Sequence, residues 1–470
     1  MKHFGTGKKT PGEPGHTRDT HGTLVVTRRF VATHQHHMRV LAFAILATAT
    51  VAGFRSPSLS QASCSSPLER PPSRSMISML AVQASTKSTT PPFLSLSVAE
   101  LSEQIGGSGR AKAVWEALRN GEDPRLLPDS GKAVSDFLLS RDVTPSTVQL
   151  VSGSEDGTTK LLVKLRDGLQ VETVLIPVRK RSPDDAGGTT RKPTTERTTL
   201  CVSSQVGCDR GCQFCATGTM GLVRNLSADE ILSQMIHGVR VARESGLPPI
   251  GNVVFMGQGE AGRNAEAVVA AATALTDQNR FGLARQKVTI STVGVDAASL
   301  EALARAPAML AWSVHAADAE LRRRLVPTSR AHSPEELRDA LADALSTRPE
   351  KARTLMIAVT LLAGINDSPE HAQQLAEFLR PLLTVVKKIA VDLIPYNPHD
   401  GAPVEFERPA DERVYAFLQQ IRAAFEGSTA LGYGVYVSVR VPRGDEKMAA
   451  CGQLVTSRQA IVDSVAEVME

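Results

Sequence analysis

The stretch CVSSQVGCDRGCQFCATG, residues 201–218, decides the fold. Within it Cys208, Cys212 and Cys215 form a C-x3-C-x2-C triplet. Three thiolates on a short loop can hold three irons of a [4Fe–4S] cluster, whose usual protein ligand set is four cysteines. The fourth iron is then left open. The competing reading is a zinc knuckle completed by Cys201 or a histidine. Zinc sites usually pair cysteines as C-x2-C with a second pair elsewhere. This chain has no such second pair.

Around that stretch, 470 residues are enough for one large α/β domain, a smaller one and a tail. The net charge is +4 but unevenly spread: residues 1–90 carry 11 Lys and Arg against 3 Asp and Glu. Residues 91–470 therefore hold 42 and 46, a net of −4, which excludes a generally basic nucleic-acid binder. Aromatics at 4% are too few for extensive base-stacking platforms. Any RNA contact would rest on local patches, such as Arg322, Arg323 and Arg324 or the run 179–197. Taken alone, each patch is more simply a solvated surface. Six cysteines make no disulfide framework at this length, and a cluster needs reduced thiols, so a reducing interior is expected.

Residues 1–90 are rich in His, Arg, Ser, Thr and Pro and read as a leader. MRVLAFAILATATVAGF, residues 38–54, is too short for a comfortable membrane span and suits a signal-peptide core with cleavage near Ala52. The Ser/Pro/Arg-rich stretch after it is similar to a transit peptide. That combination resembles the two-part leaders of algal plastids, so a plastid address is expected, with mitochondrion or cytoplasm as alternatives. An extension with no address is the bland reading. Cys64 lies in this region, away from the chemistry.

Residues 94–143 have helical periodicity and are expected to form a small helical domain, with Ser97 and Glu100 as a capping box. Residues 144–199 follow as a β-rich linker with a hairpin, then a polar loop from residue 179. From residue 200 to 455 strands and helices alternate, with a tail at 456–470. Expected strands are 199–203, 252–256, 287–292, 310–315, 355–362 and 388–395. Apolar runs such as NVVFMG and IAVDLIP suit strands buried on both faces of a parallel sheet. Six such units fit an α/β fold of the partial (β/α)6 barrel type, where active-site residues stand at the C-terminal strand ends.

The strand-end polar residues fit that rule. Strand two runs into Gly257-Gln258-Gly259-Glu260, strand three ends in Ser291-Thr292, strand four in Ser313-Val314-His315, and strand six runs into Tyr396-Asn397. Singly, each is more often structural than functional; their convergence on one rim makes them candidates. Two cysteines remain outside the triplet, Cys201 and Cys451. A free cysteine is usually a small buried hydrophobe. Cys451, however, follows the charged turn Arg443-Gly444-Asp445-Glu446, an odd neighbourhood for a core residue. Two thiols beside such a centre suggest covalent chemistry with a disulfide-forming step.

The segments VETVLIP, LCVSSQVGC, CQFCATG, RNLSADEI, GQGE, ISTVGV, SVHAADAELRRRLVP, AGINDS, LIPYNP and RGDEKMAACGQL lie between residues 94 and 454. Together they resemble the RlmN/Cfr group of radical S-adenosylmethionine RNA adenine methyltransferases. The resemblance implies a radical-SAM barrel in which Cys208, Cys212 and Cys215 hold a [4Fe–4S] cluster. It implies two S-adenosylmethionines per turnover, one methylating Cys451. The second, bound by Gly259, Glu260, Ser291, Ser313, Val314, His315 and Asn397, yields a 5′-deoxyadenosyl radical. That radical takes a hydrogen from the methyl on Cys451, and the carbon radical adds to the adenine. Glu172 would remove the ring proton, and Cys201 would attack the Cys451 sulfur, forming a disulfide and releasing the methylated base.

The implied activity is C2 methylation of an adenosine in ribosomal RNA and, second, transfer RNA. C8 methylation by the same mechanism, or a diverged radical enzyme with a non-RNA substrate, are the alternatives. The implied partners are the RNA, through the helical domain, and a low-potential electron donor such as ferredoxin or flavodoxin. No membrane association and a monomer are expected. Two departures stand out: the usual G-M-G-E-P reads GQGEA here, with Gln258 and Ala261, and the loop between Glu172 and Cys201 is long.

Overall fold

The alternation expected from residue 200 onward is present as a single run of parallel strands in the computed structural model. It describes residues 93–128, 130–178, 196–399, 402, 404–427 and 434–456. The leader, Cys64, loop residues 179–195 and all of the tail beyond residue 456 lie outside these.

Three helices come first: α1 (Val98–Ile105), α2 (Ser108–Arg119) and α3 (Lys132–Leu139). Ser97 and Glu100 form the capping box at α1, each side chain bonded to the other's backbone N–H. Phe93 and Phe137 meet edge to face at 5.4 Å, and Trp115 is fully buried beside them. Three strands follow, β1 (Ser146–Gly153), β2 (Thr159–Leu165) and β3 (Gln170–Val178). The expected hairpin is β1–β2, and β3 extends it into an antiparallel meander. In β2, Thr159, Leu161, Val163 and Leu165 point inward and the intervening residues outward, the period-two pattern of a one-sided sheet.

The sheet then changes direction. β3 pairs antiparallel with β4 (Arg197–Cys201), and β4 opens a parallel run. The run continues through β7 (Ile250–Phe255), β8 (Val288–Thr292), β9 (Met309–Ser313), β10 (Thr354–Leu361), β11 (Lys388–Pro395) and β12 (Gly434–Val439). Crossover helices connect them: α5 (Ala228–Glu244), α6 (Ala265–Thr276), α7 (Ala297–Ala304), α8 (Ala319–Leu325), α9 (Pro334–Ser346), α10 (Pro369–Leu379) and α11 (Asp411–Ala424). These are six β/α units plus a closing strand, β12, the one parallel strand the sequence did not suggest. β12 is the edge of the sheet; its Val437 is buried while Tyr436 and Val439 are exposed.

A second, two-stranded sheet pairs β5 (Gln205–Cys208) with β6 (Gly221–Asn225), with the short helix α4 (Ala216–Met220) between them. Sequence reading passed over this hairpin, in which Cys208 ends β5 and the connection carries Cys212 and Cys215. Core packing reaches the rim directly. Trp312, fully buried in β9, donates its indole N–H to the Val293 carbonyl at 3.0 Å, fixing the chain just past β8. Among the described residues no helix is long and apolar enough to cross a membrane.

Candidate active site

The cysteine loop is held at both ends. Cys208 ends β5 opposite Gly221, and Cys215 N–H bonds the Cys212 carbonyl at 3.2 Å. Gln213 N–H reaches the Leu325 carbonyl at 3.0 Å, tying the loop to the end of α8. Burial pushes all three thiols up from their ordinary range, and each feels the charge of other cysteines. Free thiolates here would be costly, and a cationic iron centre would offset that cost.

The strand ends supply the opposite wall. Glu260, beyond β7, is buried, and burial raises its carboxyl despite three bonds to it. Oε1 accepts from Thr292 Oγ1 at 2.5 Å and from Gly262 N–H at 2.8 Å, and Oε2 from Val293 N–H at 3.0 Å. Ser291 Oγ of β8 lies 3.2 Å from Ser313 Oγ of β9. His315 has φ 61°, a left-handed conformation rare outside glycine. Its ring is 4.6 Å from that of Phe214, and Nδ1 accepts from Thr360 N–H at 3.2 Å. Burial, then the Arg322 charge, holds His315 neutral, with its pKa pulled down to about 3.

Asn397 joins this wall to the C-terminal segment, its Nδ2 donating to the Cys451 carbonyl at 3.0 Å. That segment is also bonded to α4: Ala216 N–H reaches the Gly452 carbonyl at 2.7 Å, and Thr217 Oγ1 the Leu454 carbonyl at 2.5 Å.

One cleft is lined by Cys208, Cys212, Cys215, Gly259, Glu260, Ser291, Ser313, His315, Asn397 and Cys451. Cys201 faces a second cavity, which Cys451 and Asn397 also line. Val314 lines neither; it is buried, with its N–H on the Ala358 carbonyl. Glu172 lines neither as well. Its Oε1 is 2.8 Å from Lys160 Nζ, and its Oε2 accepts from Val455 N–H at 2.8 Å. Burial raises its carboxyl, and Lys160 works against that rise. The five cysteines of the described residues are free thiols. Cys201 is pushed up to about 12, mainly by burial.

Sequence reading did not single out Arg440, which lines both cavities and bonds Cys451 Sγ, nor Lys160. Nor does Arg322 belong to a surface patch. It is buried at 1% exposure, with Nη1 and Nη2 on the Val314 and Val293 carbonyls, because its place in α8 turns it beneath the cysteine loop. Only Arg323 and Arg324 of that trio are exposed.

The residues fit an iron–sulfur cluster and a sulfonium amino-acid ligand. Three thiols end on one cleft, and the Asn397 side-chain oxygen is buried there without a partner, an acceptor left over for an ammonium or hydroxyl donor. Among the described residues no three His, Cys, Asp or Glu side chains converge for a single ion, so the fit rests on the loop and its donor set.

Comparison with known proteins supplies the family. Residues 202–379 match the model of the radical SAM superfamily. A ribosomal RNA large subunit methyltransferase N of Nitrosopumilus maritimus is 40% identical over 306 residues, 64% of this chain and 78% of that protein. A probable dual-specificity RNA methyltransferase RlmN of Gloeobacter violaceus is 37% identical over 373 residues, 78% of this chain and 95% of that protein. The chain belongs to the RlmN family of radical SAM RNA methyltransferases. The crystal structure of a radical SAM methyltransferase from Sphaerobacter thermophilus, 36% identical, superposes with a TM-score of 0.63 over 77% of this chain and 98% of that one. Membership implies S-adenosylmethionine and a [4Fe–4S] cluster, and Cys208, Cys212 and Cys215 all line the cleft.

Proposed function

We propose that this chain methylates C2 of an adenosine in large-subunit ribosomal RNA, with transfer RNA as a second substrate, by way of a methyl group carried on Cys451. The observation that carries this reading is the position of Cys451, on the wall shared by the cleft of the three cluster cysteines and the cavity that Cys201 faces. A carbon between two ring nitrogens is not nucleophilic, so ordinary methyl transfer from a sulfonium fails there. A carbon radical overcomes that barrier.

When bound, the cluster and S-adenosylmethionine supply the methyl group, one electron and a hydrogen-abstracting radical, with two S-adenosylmethionines used per turnover. The chain's own residues do the rest. Cys451 presents the methyl as a thioether; once it has lost a hydrogen, its methylene carbon bonds to the base. Glu172 takes the ring proton, for which its raised carboxyl is suited. Cys201 loses its proton and its sulfur bonds Cys451 sulfur as the sulfur–carbon bond breaks; the freed carbon gains a proton to become the methyl, and the remaining unpaired electron would pass back to the cluster. The helical domain at residues 94–143 is proposed to face the RNA, and a low-potential ferredoxin or flavodoxin to supply electrons. The leader composition supports a plastid.

The test is mass spectrometry of nucleosides from unmodified organellar RNA. The RNA would be incubated without oxygen with reconstituted protein, S-adenosylmethionine and a reductant. 2-Methyladenosine is expected; 8-methyladenosine would reassign the carbon, and no methyladenosine despite S-adenosylmethionine cleavage would overturn the reading. Cys451→Ala is expected to retain the cluster spectrum and form no product.

A further inference from the structure

Arg440 stands just past β12, its N–H on the Leu393 carbonyl at 2.8 Å. Two of its side-chain nitrogens grip one carboxylate oxygen of Asp392 in β11, Nε at 2.8 Å and Nη2 beside it. That grip fixes the plane of the guanidinium and leaves Nη1 aimed at Cys451 Sγ, 3.1 Å away. Asp392 is itself steadied by Ser438 Oγ at 3.3 Å. Met256 Sδ, 3.8 Å from Nη1, closes the other side. Burial works against the Arg440 charge, but Cys451 and Asp392 outweigh it and hold the group firmly cationic.

We propose that Arg440 is a catalytic residue that orients the Cys451 sulfur by a charge-assisted hydrogen bond as the nucleophile in its own methylation, with Asp392 as its positioning residue. The inference rests on the methylcysteine reading above. The step is polar and needs no reductant. The thiol proton leaves to solvent; Cys451 sulfur bonds the methyl carbon of S-adenosylmethionine as the bond from that carbon to the sulfonium sulfur breaks, and S-adenosylhomocysteine departs. Arg440 keeps its protons throughout, as a guanidinium must. Its bond to the sulfur is charge-assisted before transfer and weak after it, because a thioether is a poor acceptor. The same contact that orients the thiol therefore slackens once the methyl is in place.

The experiment compares Arg440→Met and Arg440→Lys with the unaltered full chain carrying its cluster. The first readout omits S-adenosylmethionine: alkylation of Cys451 by iodoacetamide, followed by peptide mass spectrometry. The Met variant is expected to react about 10- to 100-fold more slowly, the span of a hydrogen bond to a charged group, and the Lys variant to recover much of the loss. The second readout adds S-adenosylmethionine and follows methyl on Cys451. The maximal rate is expected to fall by a similar factor, with KM for S-adenosylmethionine moving less than about threefold.

Alkylation of the Met variant at the unaltered rate would overturn the proposal, as would a rise in KM alone, which would make Arg440 a ligand for S-adenosylmethionine. If the unaltered chain gains no methyl on Cys451, the methylcysteine reading fails by itself, and alkylation still decides what Arg440 does to the sulfur. Should Arg440→Met not fold, Asp392→Asn takes its place, keeping the guanidinium but freeing it. A smaller slowing of alkylation in the same direction is expected there, and no change would overturn the proposal.

Discussion

Lys160 Nζ lies 2.8 Å from Glu172 Oε1 and also donates to the Met448 carbonyl at 3.2 Å, so one ammonium ties the carboxylate to the segment bearing Cys451. Both side chains are largely shielded, at 18% and 6% exposure, so water screens the pair weakly. Lys160→Met leaves a buried carboxylate uncompensated. The expected cost is about 2–4 kcal/mol, at the low side of the range for a broken buried pair because Lys160 keeps some water; urea melts measure it. Lys160 also holds the Glu172 carboxyl down against burial. Its removal is expected to move the acidic limb of the methylation pH–rate profile to higher pH.

Gln258, where the family pattern has Met, accepts the Glu172 backbone N–H at 3.1 Å. Ser203 Oγ bridges the same two residues, donating to the Glu172 carbonyl at 2.6 Å and accepting from Gln258 N–H at 2.9 Å. Gln258→Met is therefore expected to destabilise by about 1–2 kcal/mol, the cost of an unmet buried donor. It is also expected to slow nucleoside methylation while cluster content is unchanged. Equal melting midpoints for the two proteins would show that the bond contributes nothing.

Gly207 has φ 74°, and a Cβ there would sit 1.9 Å from the Gly221 carbonyl oxygen across the β5–β6 hairpin. Gly211, with φ 64°, has open space around its Cβ position. Gly207→Ala is expected to break the hairpin that frames the triplet and to yield protein without a cluster spectrum. Gly211→Ala carries only backbone strain, about 1 kcal/mol, and should still take up iron. Iron content after reconstitution separates the two.

His237, buried in α5, shares its Nε2 with Ser146 Oγ at 3.0 Å and the Ser146 carbonyl at 3.2 Å. Burial, then the Arg240 charge, lowers its pKa to about 4. Because the folded value lies below the unfolded one, its contribution is complete above pH 6.5 and is lost as pH falls toward 4. Between pH 7 and pH 5 the loss is about 2 kcal/mol. Glu172 and Glu260, raised by burial, act in the opposite sense, losing stability as pH rises. The measurement is thus a difference: the gap in stability between pH 7 and pH 5 should shrink by that amount in His237→Gln.

The parallel strands were legible because strands covered on both faces are written as unbroken apolar runs, and their boundaries fell within two residues of 250–255, 288–292 and 354–361. The rim was legible because a strand's last polar residues must face the mouth of such a fold. What escaped reading was short or distant. β5 is four residues long and pairs across the triplet, with no periodicity to reveal it. Lys160, Arg440 and Arg322 are ordinary cations in a sequence, and only folding shows which of them turn inward. Arg322 misled for that reason: the adjacent Arg323 and Arg324 suggested a patch, yet helical rotation turns the first of the three beneath the loop.

The bonds from Ala216 to Gly452 and from Thr217 to Leu454 run from the turn just after Cys215 to the residues flanking Cys451. Loss of iron would therefore not stay local. If the triplet holds iron as proposed, emptying it loosens its own loop, the loop loosens α4, and α4 releases the stretch that carries Cys451. Such a chain would register iron supply in its backbone, and hydrogen exchange at Ala216 should rise when iron is withheld and fall when it is restored.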